Sequence, residues 1–408
     1  MTRDPARLRE RAASEPTTVE PRAVARALEA NPGEAAAVGD VLRSLDGSER
    51  GAAAVAATAD RLAHDDDAVR AGAASALGVY LDDSRTADPA VVRSLAARFD
   101  DEYGVARREA GIALRALARD SPEAALEAVD SLPELLDPSD PQLTAIGLDL
   151  VETVVEADTG AAVDLLGPLL ETVRATPDLT GGAVPTHGEG MGSGAVAHDQ
   201  YESFARKNQR LRNRTASAIG EVLREEPLAV DTHRDVLVAV LESVDSGAVR
   251  VFLVEALGEV AETRPELVVP FVETLGDLLD DEDSGVVAAA AWTLGILGES
   301  HGQRVADVVA TRVDSLERLL SDGEEARVVS IGVLSYVCEH RPESTDRVAE
   351  TLVEQLDADS SRVRAMTALA LGHGGIEAAA AALDDLAETD PDEEVRAAAA
   401  DALDHIRD

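Results

Sequence analysis

The chain has 408 residues, with 37 basic against 79 acidic side chains for a net charge of −42, and aromatic residues make up only 2% of it. That acid excess repels phosphate and argues against a nucleic-acid partner, while a single cysteine, Cys338, excludes a disulfide framework and any multi-thiolate metal centre. The opening Met1-Thr2-Arg3-Asp4-Pro5 lacks the apolar core of a signal peptide, and the longest near-continuous apolar stretch, Val286 to Leu297, is too short to span a bilayer, so a cytoplasmic protein with no membrane partner is expected.

Residues 1–21 are polar and interrupted by proline, and are expected to form a lead-in or capping segment. From there a phrase of the form Asp-x-x-Val-Arg-x-x-Ala-x-x-Ala-Leu returns roughly every 36 residues, the mark of a solenoid whose units cannot bury their apolar faces alone. It runs from Asp66-Asp67-Ala68-Val69-Arg70 to Ala76-Leu77, and from Val105-Ala106-Arg107 to Ala113-Leu114. It returns from Val249-Arg250 to Ala256-Leu257, from Val363-Arg364 to Ala370-Leu371, and from Val395-Arg396 to Ala402-Leu403. Weaker copies begin at Leu143, Leu211, Val286 and Ala326.

Each period parses into two helices. The first ends in leucine plus acid, as in Val268 to Leu279; an Asp/Ser/Gly turn follows, here Asp280 to Gly285, and the second helix carries the Val-Arg phrase. Acids before each second helix suit its N-terminus, where they cap free N–H groups and meet the positive end of the dipole. Pro122, Pro227, Pro265 and Pro342 sit where first helices should start, a position that tolerates the missing N–H. The expected architecture is all-α: a HEAT/armadillo-like superhelical α-solenoid of about ten antiparallel helix pairs, exposing a concave surface lined by the second helices. Repeats occupy 22–176 and 200–408, the last of them closing on a polar cap of Asp401, Asp404, Arg407 and Asp408.

One interval breaks the rhythm. Between Leu143 and Leu211 lies a glycine-rich segment, 177–199, with no period and six glycines between Gly181 and Gly194, each weakening a helix by about 1 kcal/mol relative to alanine. It is expected to be a flexible insertion, of a length that is usually functional or disordered. After it, Ala205 to Arg214 reads ARKNQRLRNR, with no acid and with Lys207, the only lysine of the chain. On a helix Arg206, Arg210 and Arg214 form an i, i+4 column beside Lys207, while Tyr201, Phe204, Leu211, Ala218 and Val222 mark a separate apolar face. Arg206, Lys207, Arg210 and Arg214 are therefore the candidate partner-binding residues, suited to an acidic protein segment or a phosphate-bearing ligand. The competing reading pairs them with nearby acids such as Glu202, Glu221 or Asp245.

The phrases above resemble the HEAT-repeat superfamily, and in particular the short, alanine-rich repeats named after phycobilisome lyases; the resemblance covers about residue 34 to 408. It implies a protein-binding scaffold or adaptor without enzymatic activity or cofactor, of the kind that serves as a platform in signalling or motility complexes, with protein partners and a monomeric solenoid. It also implies a ladder of Asp–Arg contacts between adjacent repeats. Pro141-Gln142-Leu143-Thr144 and Gly285-Val286-Val287 lack the arginine, so those two junctions are expected to be weaker. The acid excess with lysine nearly eliminated resembles the proteins of salt-accumulating haloarchaea, where at about 1 M salt the Debye length is about 3 Å and self-repulsion is screened. A HEAT-repeat enzyme, deoxyhypusine hydroxylase, binds two irons through recurring His-Glu dipeptides; this chain has none, His64-Asp65 and His198-Asp199 being the nearest substitutes. The alternative function is a metal-dependent enzyme or maturation factor using His187 and His198. Cys338, in an apolar stretch, reads as a buried structural thiol, and Trp292 as a packing anchor between repeats.

Overall fold

The computed structural model describes residues 4–82, 88–177, 194–341 and 345–407, all of it helix, turn and coil with no strand among them. The chain divides into two units, Met1–Glu225 and Glu226–Asp408. In unit 1, α1 (Pro5–Ser14) precedes the pairs. These are α2 (Pro21–Ala30) with α3 (Ala35–Leu45), α4 (Glu49–Ala59) with α5 (Asp67–Leu81), and α6 (Pro89–Ala96) with α7 (Gly104–Ala118). Next α8 (Glu123–Glu127), extended by a 3-10 segment Val129–Leu135, pairs with α9 (Pro141–Ala157). A 3-10 segment Thr159–Leu165 then leads into α10 (Leu166–Ala175), the partner of α11 (Gly194–Glu225).

Unit 2 repeats the plan. Helices α12 (Leu228–Thr232) and α13 (Arg234–Ser243) precede α14 (Gly247–Thr263); α15 (Pro265–Val268) and α16 (Val272–Leu278) precede α17 (Ser284–Val309). Then α18 (Val313–Leu319) precedes α19 (Glu324–His340), α20 (Thr345–Gln355) precedes α21 (Ser361–His373), and α22 (Ala380–Thr389) precedes α23 (Glu393–Arg407). Ten pairs result among the described residues, an α-solenoid by fold class, with successive second helices packed side by side within each unit. Among the described residues of the lead-in, α1 lies on α3 with Leu8 and Ala12 buried, so it covers the open end of the first pair.

The starts of the second helices are set by the acids of the phrase. Asp66 accepts from the backbone N–H groups of Ala68 and Val69, Asp140 from those of Gln142 and Leu143, and Asp283 from that of Gly285, satisfying donors that have no partner inside the helix. Pro265 is the first residue of α15, and Pro122 and Pro227 cap α8 and α12; Pro342 lies outside the described residues. The expected first helix from Val268 to Leu279 is broken by a 3-10 turn at Val269–Phe271, because Pro270 brings no N–H to the ladder. The core is alanine, leucine and valine, with Phe99 and Phe271 among its largest fully buried side chains.

The arginine of the phrase joins one repeat to the next. Arg70 Nε lies 2.7 Å from Asp101 Oδ2 and its Nη2 2.8 Å from Oδ1, while Nη1 donates to the carbonyl of His64 at 3.0 Å. Arg364 repeats this with Asp390 at 2.7 and 3.0 Å and with the carbonyl of Ala358; Arg250 reaches Asp281 at 3.0 Å. Each guanidinium thus ties the end of its own first helix to the acid in the next repeat's turn. Asp101 is 1% exposed as a side chain, and the hydrogen bonds from Arg70 hold its carboxyl below the usual range. The second copy departs from the phrase: Ala106, not Val105, takes the buried position, and Arg108 rather than Arg107 crosses the junction, to Asp140 at 3.2 Å. The reason is that the receiving acid there is the cap of α9 itself, not a residue before it.

Packing between second helices relies on small residues. Trp292 of α17 sits on Gly258 of α14, where an added Cβ would meet Trp292 Cζ3 at 2.2 Å, so the tryptophan is indeed an inter-repeat anchor. Cys338 is 3% exposed, and burial pushes its thiol up to about 12.

Candidate functional site

The basic cluster lies on α11, which packs its inner face on α9 and α10. Leu211, Ala218 and Val222 are buried as expected, together with Ala205, Ile219 and Arg212, the last 3% exposed. Phe204 departs from the expectation: at 44% exposed it stands at the margin of the charged stripe, outside the apolar face. The side chain of Tyr201 lies outside the described residues, as do residues 178–193 of the glycine-rich segment, His187 among them. Residues 194–199, placed with the insertion on composition, form the first turns of α11. Nothing is described of the side chain of His198. Among the described residues there is no group of three or more His, Cys, Asp or Glu side chains that could hold a metal ion.

The four candidate residues divide into two kinds. Arg206, Lys207 and Arg210 are exposed on the outer stripe. Arg206 meets Glu202 one turn earlier at 3.3 Å, with the arginine side chain 66% exposed, an arrangement worth little in water. Lys207 and Arg210 have no acidic partner among the described residues. Many other arginines pair across repeats, as Arg61 does with Glu29 and Arg93 with Glu127.

Arg214 is different. Its Nε lies 2.8 Å from Glu152 Oε1, and its Nη2 lies 2.7 Å from both Glu152 Oε2 and Asp149 Oδ1. Asp149 also accepts from Arg115 at 2.8 Å, so Arg115, Asp149, Arg214 and Glu152 link three successive second helices, α7, α9 and α11. The hydrogen bonds that Arg214 donates to Glu152 and Asp149 outweigh partial burial and hold it charged. This is the junction that lacks the Val-Arg arginine. Thr144 stands in that position and donates its hydroxyl to the carbonyl of Asp137 at 2.5 Å, replacing the tie to its own repeat; Arg214 supplies the tie to the next. The other arginine-less junction is spanned in the same spirit by Arg312, which reaches Asp277 at 2.5 Å and Asp280 at 3.5 Å, and by Ser315 on Asp280. Neither junction is left without cross-repeat contacts: other side chains span the places where the arginine is missing.

Sequence reasoning missed one polar group on the same helix. Asn208 is 2% exposed, and neither Nδ2 nor Oδ1 has a hydrogen-bond partner. It lies one turn before Arg212, and on α11 both turn inward.

Among the described residues, no helix is long and apolar enough to cross a membrane. The family model for HEAT repeats matches residues 234–332 and 314–404, both within unit 2. No curated protein matches the chain. Among solved structures, it is similar to a crystal structure of an engineered protein, with TM-score 0.52 and 21% identity over 98% of this chain and 99% of that one. It is also similar to a structure from work on a conserved phosphorylation switch that controls the interaction between cadherin and beta-catenin, with TM-score 0.51 and 16% identity over 89% of this chain and 70% of that one. The second unit thus matches HEAT repeats over residues 234–404, and the fold as a whole is an all-α repeat solenoid.

Proposed function

We propose that the protein is a non-enzymatic scaffold that docks an acidic segment of a protein partner on the outer stripe of α11, through Lys207 and Arg210 with Arg206 and the neighbouring Phe204. One observation carries this reading. In a chain of net charge −42, where many arginines are tied between repeats, Lys207 and Arg210 are exposed and unpaired among the described residues. Phe204 beside them offers apolar area of the type that concentrates binding energy. The cadherin and beta-catenin neighbour concerns a protein–protein interaction, which supports a protein partner in kind only. Arg214 is excluded from the docking set, because its donors are committed to Glu152 and Asp149.

The composition fits a salt-rich cytoplasm, and that shapes the mechanism. At about 1 M salt a charge is felt over about 3 Å, so the stripe cannot steer a partner from a distance and must act by contact. Affinity then rests on Phe204 burial with direct ion pairs to Lys207 and Arg210 setting register and specificity. The test is affinity capture from lysate at native salt with wild type, the double variant Lys207→Glu/Arg210→Glu, and Arg214→Met. Loss of a specific partner with the double variant alone is expected; equal retention by all three removes the stripe from the proposal.

A further inference from the structure

Unit 2 contains a groove of about 880 Å³ between α20 and the turn that follows α21. Its existence follows from a local backbone choice. Gly374 and Gly375 end α21, and Gly375 takes a positive φ of 62°. A Cβ on Gly374 would lie 2.5 Å from Cys338 Cβ, so only glycine lets the turn settle against α19. The chain then leaves through Ile376 and Glu377 and stands apart from α20, leaving a cleft between them.

The cleft has an apolar interior and a charged rim. Cys338, Ala349 and Ile376 are buried and line it, with Val353 half-buried beside them. Glu350 and Glu354 follow one another by a turn along α20, on the same side as Val353, and Glu377 belongs to the facing turn. All three glutamates are exposed, and none has an ion-pair or hydrogen-bond partner among the described residues. Neighbouring acids are differently placed: Asp390 is held by Arg364, and Glu325 meets Arg362 at 2.5 Å.

We propose that this groove binds a basic segment of a partner protein, an aliphatic side chain entering between Val353 and Ile376 while flanking arginine or lysine residues pair with Glu350, Glu354 and Glu377. Charge complementarity selects the occupant. A partner with an acidic flank would bring like charges together, and a purely apolar one would leave three carboxylates beside a dry contact. The acid excess of the chain is heaviest in unit 2, which adds to the preference. This site is separate from the α11 stripe and takes a partner of opposite charge.

Cys338, as the single cysteine, makes occupancy readable. The probe is a labelled synthetic peptide with a central leucine flanked on each side by arginines. Binding is followed by anisotropy at ~0.15 M salt, where the Debye length is about 8 Å, with helicity checked by circular dichroism in the same buffer. The peptide is expected to bind, and Glu350→Gln/Glu354→Gln/Glu377→Gln, which changes only exposed groups, should weaken it about tenfold. Analogues with serine for leucine, or glutamate for arginine, should bind more weakly than the parent. Bound peptide should slow alkylation of Cys338. In a Cys338→Ser/Ala378→Cys variant, whose reporter sits on the exposed rim, saturating peptide should slow alkylation at least about fivefold. Absence of peptide binding, equal binding to the triple variant, or binding without protection of the cysteine at 378 would overturn the proposal. So would self-association of the protein that the triple substitution abolishes, since the groove would then hold a second copy.

Discussion

Replacing Arg214 by methionine removes a side chain that bridges α9 and α11 at the arginine-less junction. Two charge-assisted hydrogen bonds to Glu152 and one to Asp149 are lost. Asp149 keeps Arg115, and Glu152, 41% exposed, is left to water. The Arg214 side chain is 34% exposed, so its pairing ranks above a surface ion pair, worth about 0.2–1 kcal/mol, and below a buried pair, whose disruption costs about 3–5 kcal/mol. A loss of about 1–2 kcal/mol is expected, equivalent to a factor of about 5–30 in the opening of this junction. Hydrogen exchange in α9 and in the C-terminal half of α11 reads it directly: those amides should lose protection by that factor. Arg210→Met is the matched control, and as an exposed, unpaired residue it should change stability by less than about 0.5 kcal/mol. Wild-type protection in Arg214→Met, or equal losses in the two variants, would refute the division of the basic cluster into a tie and a docking stripe.

Other consequences are equally specific. Asp101 has its carboxyl lowered chiefly by the hydrogen bonds from Arg70; a lowered folded-state value stabilises the fold above the unfolded value, near pH 4, and is lost as pH falls through the folded one. Asp101→Asn should therefore cost about 3 kcal/mol at neutral pH, with the wild-type and variant stabilities converging in acid; a constant gap down to pH 2 would contradict the pairing. Gly258→Ala should destabilise by about 1–2 kcal/mol through collision with Trp292 despite better helix propensity, whereas Gly332→Ala, with nothing within 4 Å of its added Cβ, should gain up to about 1 kcal/mol. Urea unfolding followed by Trp292 fluorescence measures both, and a common sign would show that propensity alone decides. Asn208→Leu should raise stability by about 1 kcal/mol, because it removes two buried polar atoms that lack partners; a loss in thermal unfolding would show that the amide is satisfied in solution.

The solenoid was legible because its information is local and repeated. Val69-Arg70, Val249-Arg250 and Val363-Arg364 each mark a second helix, and the acids before them mark its cap. The partner of Arg70 was readable in kind, since Asp101 lies in the next repeat's turn. Arg214 was not: its partners Glu152 and Asp149 are 62 and 65 residues away across the interruption, where the period gives no register. Its i, i+4 spacing from Arg206 and Arg210 suggested a common role that packing divides. Phe204 was misplaced, and Asn208 missed, for a related reason. Helical periodicity assigns an angle around α11, but the neighbouring helices decide how far along it the cover extends. The groove beside Cys338 was invisible in the sequence, because Gly374-Gly375 looks like an ordinary helix end until the close approach of α19 is known.

The docking role of the α11 stripe is tested most directly by a hydrogen-exchange difference map between the free protein and its complex with a captured acidic partner, recorded at native salt. New protection in peptides covering residues 202–210, with the Arg214 junction unchanged, is the predicted result. Protection confined to other helices, with 202–210 exchanging as in the free protein, would contradict it.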